Sequence, residues 1–288
     1  RYPTIGSDLQ TMSSPTVLPP APPAKTSSPA AAASVPQAKQ HSPPASASTN
    51  PQTSADNFLS QGYCVLEDVL PPSYVTSTLR PAAEASFAAA FSAMSKNGWT
   101  ASSSHLSPHP RGSRHTLALG ARNGFTEIVR RSSGRYEYRY ATSDPPFSSP
   151  QILLNGTLLP VLSRIFKGEP YELIGRSVVL STPGSTNQAW HVDGGHLSPT
   201  QHLPPHCLNV FLPLVDLTPS LGPTSIRPRT HLYTRDLAKQ MLGAICRKEL
   251  PPSVAPCVKA GGALLFDYRV LHRGLGNTGL GDRPVLVL

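Results

Sequence analysis

Apolar positions along the chain follow two regimes. Over residues 73–95 they recur near a 3.6-residue period, with Val75, Leu79, Phe87, Phe91 and Met94 on one face, which predicts an amphipathic helix capped by Ser73. A second stripe, Ile152, Leu159, Leu162, Ile165 and Phe166, predicts a helix over residues 151–167 that Gly168 and Pro170 stop. Between them Tyr136, Tyr138 and Tyr140 alternate with Arg135, Glu137 and Arg139, the period of a half-buried strand. Ahead of the first stripe, residues 58–66 read as a helical turn broken at Gly62 and followed by a short strand. From Tyr171 onward the pattern changes to short apolar runs separated by Gly, Pro and Asn. Residues 178–181, 208–214, 263–267 and 283–288 are the clearest strands, and Leu237, Met241, Leu242 and Ile245 predict an inserted helix over 235–250. Many short strands with such punctuation predict a mainly β protein with flanking helices, a jelly roll or related double-sheet barrel.

Composition changes this picture at the start of the chain. Residues 1–55 are Pro, Ala, Ser and Thr with one acid, Asp8, and few large apolar side chains. Such a segment buries too little surface to offset chain entropy, so it is expected to be disordered, with a single domain over 56–288. Its Ser-rich, acid-poor character fits a transit region as well as a plain linker, and residue 1 is Arg rather than Met, as in a chain that begins inside a longer precursor. No apolar run approaches the ~20 residues that span a bilayer. The four cysteines show no CxxC pairing. The expectation is a soluble intracellular protein with reduced thiols, in the cytoplasm or an organelle.

Net charge is +9, which admits nucleic acid or an anionic substrate as partner. A basic loop region in an acid-poor chain is the plainer reading, and oligomeric state is not legible. Residues 121–139 hold Arg122, Arg130, Arg131, Arg135 and Arg139, a basic edge that would suit phosphates, with a solvated strand face as the simpler expectation. His105, His109 and His115 fall in a loop-like stretch over 96–120, with no metal-site spacing.

Candidate chemistry concentrates in residues 188–196, Gln-Ala-Trp-His-Val-Asp-Gly-Gly-His. On an extended backbone His191 and Asp193 point to the same face, and both can reach one metal ion. His272, in the run Asp267 to Gly274, would complete two imidazoles and one carboxylate, the facial set of non-haem Fe(II) oxygenases. Eleven residues later Arg283 opens the final apolar run, where a guanidinium fork suits a co-substrate carboxylate. An HxD pair alone is weak; the distal His272 and Arg283 give it weight.

Those residues, with Leu208 to Asp216, Gly222-Pro223-Thr224, Pro228 to His231, Gly262 to Asp267, His272-Arg273-Gly274, Asn277 and Arg283-Pro284 in that order, resemble the phytanoyl-CoA dioxygenase family of Fe(II)/2-oxoglutarate oxygenases. The resemblance implies a double-stranded β-helix, cupin-like, over about 170–288, with the opening helix packed outside the barrel. It implies Fe(II) on His191, Asp193 and His272, and 2-oxoglutarate held by Arg283, with Gln188 and Asn209 as further co-substrate contacts. It further implies dioxygen as oxidant, ascorbate as a candidate reductant, and hydroxylation of a small organic or lipid-like substrate with release of succinate and carbon dioxide. Because the carboxylate Asp193 is present, hydroxylation is favoured over halogenation. His231 is expected beside the site, and His196 in the pocket or behind the ligands. Trp190 is expected to pack on the metal loop or wall the pocket, and Gly194 and Gly195 to leave room for substrate or a tight turn. A nucleic-acid-modifying oxygenase of the same superfamily and a non-catalytic cupin-like binding protein are the competing readings.

Overall fold

The computed structural model describes residues 48–96, 115–116, 128–198, 201–233 and 250–288. Residues 1–47, His105, His109 and most of the expected inserted helix over 235–250 lie outside the described residues.

The chain enters through helix α1 (Pro51–Gln61), whose cap Asn50 accepts from the N–H groups of Gln52 at 2.8 Å and Thr53 at 3.3 Å. This corrects the expected start of order at 56: Ser54 and Ala55 are buried, and Phe58 is fully enclosed. A cap followed by Pro at the first helical position starts a helix without a strong apolar stripe, which is why periodicity alone missed it. Gly62 ends α1 at φ 83°, and β1 (Tyr63–Leu66) follows.

The helix expected over 73–95 begins one residue earlier and is not capped by Ser73. It runs as α2 (Pro72–Tyr74), a π-helical turn (Val75–Leu79) and α3 (Arg80–Lys96), with Pro71 at the cap position and no side-chain cap. Pro72 has no N–H to leave unsatisfied, so the missing cap costs little. Within the stretch expected to be loop, β2 (His115–Thr116) pairs antiparallel with β3 (Ile128–Ser132). Then come β4 (Arg135–Arg139), α4 (Pro150–Leu153) and α5 (Leu158–Ile165). The single helix expected over 151–167 is therefore two. Asn155 Oδ1 accepts from the N–H groups of Thr157 and Leu158 at 3.0 and 2.9 Å, while its Nδ2 donates to Val69 O at 2.5 Å, so the side chain competes with the helix ladder and restarts it.

The strands β5 (Ser177–Ser181), β6 (Leu208–Pro213), β8 (Ala263–Asp267) and β10 (Arg283–Val287) lie where the apolar runs placed them. They form an eight-stranded sheet in the order β1-β8-β6-β10-β5-β4-β3-β2, antiparallel throughout. A second sheet pairs β7 (Thr224–Ile226) with β9 (His272–Gly274). The architecture is the expected mainly β jelly roll, a double-stranded β-helix with flanking helices.

One face of the large sheet is covered by α3, where Phe91 meets Tyr136 edge-on with rings 5.0 Å apart and Phe87 meets Tyr138 at 5.9 Å. These tyrosines take the covered face, so Arg135 and Glu137 must point the opposite way, toward the second sheet. Both are buried. The expectation of a solvated face for this edge is corrected there. Two polar braces fix the strand ends behind the site. Arg269 makes a buried bidentate pair with Asp267, 2.8 and 2.7 Å, at the turn after β8. Asn277, fully buried, donates to Ser181 O at 2.9 Å and Gly281 O at 2.8 Å and so ties the β9–β10 loop to β5. Among the described residues no helix is long and apolar enough to cross a membrane, and Cys64, Cys207 and Cys257 are free thiols.

Candidate metal centre

His191 and His272 are brought together by main chain. They form an isolated antiparallel bridge in which His191 N donates to His272 O at 3.0 Å and His272 N to His191 O at 2.9 Å. Their rings lie 4.4 Å apart. Asp193, two residues on, is held by its own N–H on Tyr268 O at 3.0 Å.

Each imidazole has its Nδ1 against a carbonyl, Ala189 O at 2.8 Å for His191 and Val270 O at 3.0 Å for His272. A carbonyl only accepts, so Nδ1 carries the proton in both rings and Nε2 is left with its lone pair. Those Nε2 atoms face the Asp193 carboxylate, at 3.8 Å from Oδ1 and 3.5 Å from Oδ2. One donor atom from each of the three residues lies within 4.8 Å of the others. Burial pushes the His272 imidazole below its ordinary pKa, with Asp193 acting in the opposite direction and weaker. The neutral ring is the form that ligates a metal. Two nitrogens and a carboxylate oxygen on one side of an empty-faced position fit Fe(II).

The triad opens onto a cavity of about 520 Å³ that Gln188, Asn209 and Arg283 also line. All six residues expected at the site thus share one space. Asn209, on β6, donates through Nδ2 to Asp193 Oδ2 at 2.8 Å, so it holds the carboxylate in place. Arg283, at the start of β10, is 3% exposed; it donates to Gly222 O and, at 2.8 Å, to Ser181 Oγ. Its Nε has no partner, and its side chain makes no ion pair with neighbouring Asp282.

A second buried cation stands beside it. Arg135 and Arg283 both face Ser181 across adjacent strands, one from β4 and one from β10. Arg135 donates to Gln188 Oε1 at 3.0 Å and Leu275 O at 2.7 Å, and Gly274 N donates to the same Gln188 oxygen at 2.9 Å. Two donors on one atom fix the amide orientation, with the NH2 end left to donate. Gly274 must lack a side chain, since a Cβ there would occupy the Arg135 guanidinium's space. Burial pushes Arg135 down to about 10; burial and then the Arg135 charge push Arg283 down to about 9. Two adjacent, buried guanidiniums with no carboxylate bonded to either are the signature of a site that waits for an anion.

Other expectations are redirected. His196 sits behind the cavity wall: its Nε2 lies 3.1 Å from His231 O, and His231 Nε2 lies 3.2 Å from Leu59 O. Trp190 is not among the residues that line the cavity; the guanidiniums of Arg227 and Arg273 lie over its ring at 4.8 and 4.5 Å. Gly194 makes room for the ring of Tyr268, which a Cβ would strike, whereas Gly195 faces open space. Tyr268 lines the cavity and carries no sequence signal; Arg135, expected on a basic edge with a solvated face as the simpler reading, lines it too, since the alternation around it marks two faces without saying which is inward.

Comparison with known proteins agrees with this geometry. Residues 58–285 match the family Phytanoyl-CoA dioxygenase (PhyH). Among solved structures, the non-heme alpha-ketoglutarate-dependent carbocyclase SnoK from nogalamycin biosynthesis is similar at TM-score 0.55 and 20% identity, over 81% of each chain. EctD from S. alaskensis, with bound Fe, is similar at 0.55 and 18%, over 86% of this chain and 79% of that one. The epimerase SnoN, in complex with Fe3+, alpha ketoglutarate and nogalamycin RO, is similar at 0.52 and 17%, over 82% and 81%. At such identities the structures speak for the fold, and the family match covers most of the chain. The chain is therefore a member of the phytanoyl-CoA dioxygenase family, the non-haem Fe/2-oxoglutarate-dependent oxygenases.

Proposed function

We propose that the protein is a dioxygenase that hydroxylates a small organic substrate, with 2-oxoglutarate converted to succinate and carbon dioxide. The observation that carries this reading is the His191–Asp193–His272 cluster opening onto the same cavity as the buried, carboxylate-free Arg283. His191, Asp193 and His272 are the residues that would hold Fe(II), which, with 2-oxoglutarate and dioxygen, supplies the oxidising chemistry. The chain's own part is positioning. Asn209 orients the Asp193 carboxylate, and the two backbone carbonyls keep both imidazoles in the ligating tautomer.

Arg283 binds the distal carboxylate of 2-oxoglutarate. Of its five N–H donors two meet Gly222 O and Ser181 Oγ, which leaves three, including Nε, for a fork on a carboxylate. Gln188, its oxygen pinned by Arg135 and Gly274, offers NH2 to the co-substrate end nearest the metal.

The test is anaerobic. Fe(II) protein titrated with 2-oxoglutarate should develop a metal-to-ligand absorption band with one equivalent of each. His191→Ala, Asp193→Ala and His272→Ala should each abolish it and, once dioxygen is admitted, succinate formation as well. A full band in any one of the three variants would overturn the ligand assignment.

A further inference from the structure

Of the three residues of β7, only Thr224 lines the cavity. It is 6% exposed. Among the described residues nothing bonds its hydroxyl, and Thr224 Oγ1 is not among the polar atoms sealed off without a partner. The oxygen is therefore reached from the cavity. A largely desolvated hydroxyl without a partner is unfavourable until something in the cavity takes its proton. The oxygenase reading leaves this donor unused.

The register of the second sheet gives Thr224 its place. Thr224 lies opposite Gly274, and Ile226 lies opposite His272. On the other side of β9, Gln188 N donates to Gly274 O at 2.9 Å, and His191 bridges His272. The sheet thus reads in rows. Ile226, His272 and His191 form the metal row; Thr224, Gly274 and Gln188 form the row beside it. Two strand residues separate the rows, ~6–7 Å. Two residues further back along the chain, Gly222 O receives Arg283. Thr224 therefore stands between the metal ligands and the guanidinium anchor, on the span that a bound diacid must cross.

The middle of 2-oxoglutarate is two methylene groups that accept nothing, so a hydroxyl at this level must serve one end. Gln188 already turns its NH2 to the metal end from across Gly274. At the distal end a carboxylate has about four lone-pair sites, and a guanidinium fork fills two of them. Thr224 is two residues from the carbonyl that Arg283 grips, so it reaches that carboxylate from the β7 side. The run Gly222-Pro223-Thr224 builds both contacts. Gly222 turns at φ 71°, where a Cβ would strike Gly276 O, and so presents its carbonyl to Arg283.

We propose that Thr224 is a further co-substrate contact, whose hydroxyl donates to the distal carboxylate of 2-oxoglutarate beside Arg283. This rests on the oxygenase reading of the same cavity.

The test compares two replacements. Thr224→Val exchanges the hydroxyl for a methyl group, and Thr224→Ser keeps the hydroxyl and drops the methyl. Each is titrated with 2-oxoglutarate as the anaerobic Fe(II) protein, read at the metal-to-ligand band. Thr224→Val should raise the dissociation constant about tenfold, the loss of one hydrogen bond to a charged group. Thr224→Ser should stay within about threefold of the parent. Fe(II) affinity, by competition against a chelator, should be unchanged in both, and neither metal-free variant should melt much below the parent. 2-Oxobutyrate has the metal-binding end without the distal carboxylate, so it should not distinguish Thr224→Val from the parent. Thr224→Ala, which also lacks the hydroxyl, carries the comparison if Val packs badly. Parent-like 2-oxoglutarate binding by Thr224→Val overturns the proposal. Equal impairment of the Val and Ser proteins makes Thr224 a packing residue, and equal weakening of 2-oxobutyrate moves the hydroxyl to the metal end; either result overturns it too. A parent protein that develops no band with 2-oxoglutarate overturns the oxygenase reading itself, and this proposal with it.

Discussion

Replacing Arg283 by Lys keeps the charge and removes the planar fork. In the parent the guanidinium serves Gly222 O and Ser181 Oγ and still has three N–H donors to offer. A Lys ammonium has three donors in all. If two keep Gly222 O and Ser181 Oγ satisfied, one remains for the co-substrate, so at least one charge-assisted hydrogen bond is lost. At about 1.5–3 kcal/mol for such a bond, the apparent dissociation constant for 2-oxoglutarate should rise roughly ten- to hundredfold. Arg283→Ala should be worse, because it also leaves Gly222 O without its donor in a buried place. Fe(II) affinity should be unchanged in both variants, since neither touches His191, Asp193 or His272. Titration of 2-oxoglutarate into anaerobic Fe(II) protein, read at the metal-to-ligand band, measures the constant directly. Equal constants for parent, Lys and Ala would make Arg283 a structural brace for the Gly222 turn and refute the co-substrate assignment.

Asn209→Ala removes the donor on Asp193 Oδ2, and metal affinity, measured by competition against a chelator, should fall about ten- to hundredfold. A variant with unchanged metal affinity but weaker 2-oxoglutarate binding would return Asn209 to the co-substrate. Deleting residues 1–55 takes the Asn50 cap and the buried Ser54 and Ala55 from α1, so melting temperature should fall by roughly 4–8 °C for about 2 kcal/mol lost. Asn50→Ala alone should account for about 1 kcal/mol of that. A deletion that melts with the full chain would show that the first turn of α1 contributes nothing.

The strands legible in the sequence each carry a short, mostly buried apolar run: Val178 to Leu180, Val210 to Leu212, Ala263 to Phe266 and Val285 to Val287. The three-residue strands β7 and β9 carry no usable period, though β9 supplies His272. The candidate metal ligands are legible from residue type and order, without any knowledge of β9. The inward place of Arg135 was open for a different reason: a strand of alternating Arg and Tyr has two plausible inward faces, and only the ring packing of Phe87 and Phe91 decides between them. The break at Asn155 escaped because it depends on a carbonyl, Val69 O, from 86 residues earlier. Legibility ended wherever a side chain's fate was set by a distant partner.

The reciprocal hydrogen bonds between His191 and His272 have a consequence for how the ion comes and goes. These two residues are fastened by their own amides, and Trp190 and Arg273, their immediate neighbours, are stacked together. The donors therefore stand ready before any ion arrives, as in a rigid socket, and the ion contributes little to building it. In a zinc finger the metal's binding energy is the folding energy. Here stripping the ion with a chelator should leave the barrel standing, and reloading should proceed at the pace of diffusion and ligand exchange, with no refolding step between.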